Sequence, residues 1–282
     1  MEFLIILSIF SMVTQNCVFN NICKKELKTT NHIYLFNMLV YSICIVIFGV
    51  LLFREGISIY TVVLAVVFGI VTALSSFYRM RSLATGPMHI TLLITTSSMI
   101  IPTLSGMFFG ERFSLLKLLA MFVLIFFIYL SLESSSNMKV NKKWLFFCLL
   151  AFISQGMIGV LQKVHQTSEH KGEVTAFLFV SFIFSLIYSR IMIKGKLKEV
   201  KLNKKIVMLA GVSGLCTFCM NFLNLKLSGL LPSQLFFPVV NGSSIVLSSL
   251  MAVIIFKEKL SKKQLIGLVG GIISLIMICI VP

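Results

Sequence analysis

Apolar runs long enough to cross a bilayer alternate with short polar stretches along the whole chain. Ten runs stand out, over 3–22, 32–53, 57–79, 88–109, 115–132, 144–162, 174–193, 206–227, 233–256 and 264–281. A helical span needs about 20 predominantly apolar residues. Lipid offers no partner to an unpaired backbone amide, so each run is expected to be a helix. The pattern therefore predicts an all-α integral membrane protein with ten transmembrane helices. A polar stretch over 133–143, reading ESSSNMKVNKK, separates five runs from five.

The two sets of five repeat one another. Residues 86–114 read GPMHITLLITTSSMIIPTLSGMFFGERFS, and residues 232–261 read PSQLFFPVVNGSSIVLSSLMAVIIFKEKLS. Each is an apolar span with a hydroxyl-rich centre and a Glu-basic-apolar-Ser stop. Glu111 falls on Glu258 and Ser97 on Ser244. Gln15 in the first span corresponds to Gln155 in the sixth, and Gly69 and Phe77 correspond to Gly214 and Phe222. Two units are predicted, 1–137 and 138–282. Five spans are an odd number, so the second unit enters the membrane upside down relative to the first. Inverted repeats of this kind build many carriers around a site near the membrane midplane.

Composition sharpens this picture. Hydrophobic residues make up 58% of the chain, charged residues 12%, and mean hydropathy is +1.01, which leaves no soluble domain of useful size. The formal net charge of +16 lies mostly between spans. It points to anionic lipid headgroups rather than nucleic acid. Of the 25 Lys and Arg, 19 lie after spans one, three, five, seven and nine. By the positive-inside rule those loops are cytoplasmic and both termini face outward. No basic stretch precedes the first run, so it is expected to be a span rather than a cleaved leader. A plasma-membrane, multi-pass location follows. Cys216 and Cys219 form a CxxC, but within a span and without a second such pair, so buried thiols are the better reading.

The chain has no Asp, and its nine Glu lie at span ends or in loops. A carboxylate at mid-membrane usually marks a proton relay or cation site. Its absence argues against an acid-driven multidrug antiporter and against a purely cationic substrate. The mid-depth residues are neutral and polar. Gln15, Asn16, Asn37, Tyr41, Ser76, Tyr78, Thr95, Ser98, Gln155, Asn221, Asn241 and Ser244 are the candidate lining of a substrate cavity. Each also has a plainer reading as glue between helices. Pro102 and Pro238 sit inside spans four and nine, where each frees a carbonyl. Arg79, Arg81 and Lys226 are expected to be snorkelling anchors, with a cationic floor for an anionic substrate group as the alternative, and Lys163, His165 and Gln166 after span six an anchor, with a gate as the alternative. Gly267 and Gly271 form a GxxxG that packs helices within the chain or joins a homodimer. No nucleophile-base pair, metal cluster or phosphate-cradling loop is legible, so neither enzyme nor cofactor is expected.

Ten spans, two five-span repeats and the GERFS and KEKLS stops resemble the drug/metabolite transporter superfamily, EamA-like branch. The resemblance covers nearly the whole chain. It implies alternating access around a cavity lined by spans one to four and six to nine, with spans five and ten in support. It also implies cytoplasmic termini, opposite to the charge count. The buried acid of the small multidrug members has no counterpart here. A carrier of a small neutral, zwitterionic or anionic metabolite, exporting amino acids or similar solutes, is the first expectation. A flippase for a lipid-linked headgroup is one rival, and a membrane enzyme or non-transporting scaffold is another.

Overall fold

The structure is a computed structural model that describes residues 1–27, 29–52, 56–86, 88–112, 114–132, 142–193, 203–256 and 262–280. Within these the apolar runs fold as helices. In chain order they are α1 (Glu2–Lys25), α2 (Thr30–Leu51), α3 (Ile59–Thr85), α4 (Met88–Ser97), α5 (Ile100–Ser105), α6 (Leu115–Leu132), α7 (Lys142–Thr167), α8 (Val174–Met192), α9 (Lys204–Leu230), α10 (Ser233–Phe256) and α11 (Lys262–Ile280). Helix starts follow side-chain chemistry. Thr29 accepts from the His32 amide ahead of α2, Ser58 from the Thr61 amide ahead of α3, and Asn203 from the Lys205 amide ahead of α9.

Six helices, α1, α2, α3, α7, α8 and α9, are long and apolar enough to cross a membrane. Large apolar side chains such as Phe10, Val46, Ile59, Phe126, Ile191 and Ile276 point outward from α1, α2, α3, α6, α8 and α11. An apolar surface of this extent belongs in lipid. The protein is a multi-pass membrane protein.

The expected continuous fourth span is broken. α4 stops at Ser97 and α5 resumes at Ile100, with a short 3-10 turn over Gly106–Phe109 after it. Pro102 supplies the reason. Its ring has no N–H and crowds the carbonyl four residues earlier, that of Ser98. The Ser98 carbonyl instead accepts from the Ile101 amide at 3.0 Å in a tighter turn. In the other half α10 runs unbroken through Pro238.

Two cores hold the bundle. One joins α2, α3 and α8 through Phe36, Phe48, Phe68, Phe177 and Phe182. The other joins α1, α6 and α10 through Val13, Met99, Leu124, Phe236 and Val240. Two crossings need glycine. A Cβ on Gly69 would lie 2.3 Å from the Ser181 carbonyl oxygen of α8, and one on Gly214 would lie 2.8 Å from Ile43 of α2. At both, a side chain of the opposing helix donates to the glycine carbonyl: Ser185 Oγ to Gly69 at 2.7 Å and Cys44 Sγ to Gly214 at 3.5 Å.

α6 and α11 pack against each other. Gly267 and Gly271 are both buried, and a Cβ on Gly271 would meet Val246 and Leu124. The linker that spans the 137/138 boundary, the basic stretch 194–202 and the stop that contains Glu258 lie outside the described residues.

Candidate functional site

A cavity of about 80 Å³ lies within the bundle, lined by α1, α2, α3, α5, α7, α9 and α10 and the Ser98–Met99 break. It has room for several waters. Sites that enclose a drug-sized ligand are about 300–1,000 Å³, so this chamber is smaller than such a site. Gln15, Asn37, Tyr41, Ser76, Ser98, Gln155, Asn221 and Asn241 all line it. Around them stand Thr72, Ser75, Gln162, Thr217 and the aromatic rings of Phe19, Phe236 and Phe237.

The polar groups are joined across the two halves of the chain. Gln15 Nε2 donates to Thr217 Oγ1 at 2.7 Å, and Ser75 Oγ donates to Gln155 Oε1 at 2.9 Å. Others bond within their own helix: Asn221 Nδ2 to the Thr217 carbonyl at 2.9 Å and Asn241 Nδ2 to the Phe237 carbonyl at 2.9 Å. Asn37 Nδ2 and Thr72 Oγ1 are buried without a protein partner. Buried polar groups of this kind are normally satisfied by water or ligand.

Four candidates lie elsewhere. Thr95 donates to the Thr91 carbonyl at 2.9 Å, and Ser244 to the Asn241 carbonyl at 2.8 Å. Both bonds are back-bonding within a helix. Tyr78 meets Phe77 edge-on and stacks on Phe147. Asn16 stands behind the lining, with Nδ2 donating to Ser248 Oγ at 3.1 Å and Oδ1 accepting from Arg79 Nη2.

Arg79 was expected to be an anchor at the end of span three. It lies inside α3 instead and lines the chamber. Its guanidinium carbon sits 5.4 Å from the centre of the Phe19 ring, and its Nε is buried without a hydrogen-bond partner. Lys163 is likewise no anchor. It is buried, forms an ion pair with Glu111, and donates to the Ser228 carbonyl at 2.9 Å and the Leu231 carbonyl at 3.4 Å. Glu111 also accepts from the Ser233 amide at 2.7 Å and its hydroxyl at 3.1 Å. The carboxylate thus caps the start of α10, where the helix dipole favours negative charge. Lys226 does sit on the surface, 4.3 Å from the Phe222 ring. A recess of about 720 Å³ lies outside the Lys163 pair, lined by Glu111, Arg112, Lys117 and Gln234.

A second carboxylate ties the halves at the same end. Glu173 accepts from the Ser58 amide at 2.9 Å and the Ser58 hydroxyl at 2.8 Å, beside His170 at 3.2 Å. Partial burial alone would raise its pKa. Hydrogen bonds from Thr61, Ser58 and His170 outweigh that and hold it at about 2.

Comparison with known proteins points to one family. Residues 142–280 match the model of the EamA-like transporter family. Over these residues, just under half of the chain, it is similar to the EamA-like transporter family. A crystal structure described simply as that of a protein shares the fold, with a TM-score of 0.71 and 11% identity over 98% of this chain and 99% of the other. No curated protein matches.

In this EamA-like chain, sequence reasoning passed over Gln162 and Thr217, which also line the chamber. Thr217 carried a signal: it lies one turn before Asn221, on the same face of α9. Gln162 had none beyond being polar near a span end. Cys216 and Cys219 are free thiols and only half-buried, where the reading of the CxxC expected buried ones.

Proposed function

We propose that this protein is a secondary carrier that moves a small solute by alternating access, as two inverted five-helix repeats, 1–137 and 138–282, rock about the central chamber. One observation carries the reading. Amides and hydroxyls from both halves converge on one void within the bundle, and Gln15 and Gln155 each bond across the halves. An unpaired amide in an apolar surround costs about 1–3 kcal/mol, so polar groups concentrated around a void point to a wet, substrate-facing surface.

The packing supports the repeat. Exchange each span for the one five places on, counting α4 and α5 together as span four. The contact of α3 with α7 then becomes that of α9 with α1, α3 with α8 becomes α9 with α2, and α1 with α10 becomes α7 with α5. All of these contacts occur. The glycine crossings at Gly69 and Gly214 exchange in the same way. The solute is neutral, zwitterionic or anionic, because no carboxylate lines the chamber among the described residues.

Uptake into proteoliposomes tests this. Gln15→Ala combined with Gln155→Ala removes both cross-half bonds and is expected to cut transport by about tenfold. Unchanged uptake in the double variant would remove these residues from the site.

A further inference from the structure

Resting on that reading, we infer that the transported solute carries an anionic group, a carboxylate or a phosphate, that docks on Arg79. Arg79 is the one cation among the described residues that line the chamber. No carboxylate lines the chamber with it, and no ion pair to it is formed among the described residues. Its contacts are a neutral amide oxygen, that of Asn16, and the face of Phe19. These contacts position the guanidinium and leave its charge uncompensated. Its Nε is buried and makes no hydrogen bond. A guanidinium presents a planar fork of donors suited to two oxygens of one anion, and here part of the fork is unspent.

A half-buried cation without a counter-charge inside a bundle is costly, and such residues in membrane proteins mark substrate or ion sites. Lys163, which is buried, shows the contrast, since it is neutralised by Glu111 and bonded to two carbonyls. Around Arg79 the further donors are neutral. Asn37 Nδ2 is buried without a partner, and the Gln162 side chain also borders the void. These suit the uncharged part of a polar solute. A cationic solute would meet repulsion with no acid to offset it.

The test uses the full-length chain and small probes matched in size: lactate, alanine, glycerol 3-phosphate, lactamide and alaninol. Transport is read in proteoliposomes. Binding is read separately in detergent, from the rise in unfolding midpoint that each probe causes. Lactate, alanine or glycerol 3-phosphate is expected to bind and be transported, and the winner among them tells carboxylate from phosphate. Arg79→Gln is expected to weaken that binding by about tenfold or more, and Arg79→Lys, which keeps charge without the fork, by less. Lactamide or alaninol transported as well as the acids, or acid binding unchanged in Arg79→Gln, overturns the anion site while leaving a carrier. Acid binding that depends on Arg79 without transport of any probe upholds the anion site and removes the carrier reading. No binding and no transport by folded wild type removes both.

Discussion

Two cations are drawn into the bundle, and they are treated in opposite ways. Lys163 lies near the end of α7 with Glu111 against it, two backbone carbonyls around it and a broad recess outside. Arg79 lies toward the far end. Twenty-one residues separate it from Ser58 at the start of α3, a helical rise of about 30 Å. It faces the void with a neutral amide oxygen and an aromatic face as its neighbours. The contrast separates a charge kept for architecture from a charge kept in reserve. A fully partnered cation joins elements, here the stop of the fourth span, α7, and the junction of α9 with α10. An incompletely partnered one retains its capacity to bind.

The contrast is sharpest in stability. Lys163→Met strands the Glu111 carboxylate in a mostly buried setting and is expected to lower stability by about 3 kcal/mol, measured by denaturant-induced loss of helicity in detergent. Adding Glu111→Gln removes the stranded charge and should restore about 2 kcal/mol of that loss. No recovery would mean that the pair acts through its carbonyl bonds alone. At the same end, Glu173→Gln should cost about 1 kcal/mol by weakening the bonds from Ser58. The pH dependence has a definite sign. The folded carboxylate is held at about 2, below the ordinary value of 4.5, so its contribution is complete above the ordinary value and is lost as pH falls toward 2. Acid titration of the unfolding midpoint, wild type against Glu173→Gln, reads this directly. Arg79→Gln should have the smallest effect, under about 1 kcal/mol in either direction, because the lost bond to Asn16 is offset by relief from burying a charge. A loss as large as that of Lys163→Met would abolish the distinction.

The helical membrane character was legible because lipid forces apolar length and internal backbone bonding on every span. The aligned Gln15 and Gln155 were legible for a related reason: a side-chain amide within a span is conspicuous, and the chamber receives both. Arg79 and Lys163 were misread because snorkelling and inward burial produce the same one-dimensional pattern of a cation near a span end. What distinguishes them is the side of the helix that the cation takes: Lys163 and Lys226 each stand four residues before the end of their helix, yet Lys163 is buried and Lys226 exposed. α3 continues six residues past Arg79, to Thr85, and α7 continues four past Lys163, to Thr167. Thr95 and Ser244 lie off the chamber for a different reason. A hydroxyl in a helix can bond its own backbone, and the sequence does not say which hydroxyls do.

The interruption at Ser98 and Met99 has a mechanical consequence. Two short helices meeting at a tight turn bend more readily than one continuous rod, because the regular ladder that resists bending is missing at the junction. The chamber touches that junction through Ser98 and Met99 on one wall, and the unbroken α10 through Asn241 on another. The α4–α5 wall therefore carries a point of easy bending at the edge of the chamber.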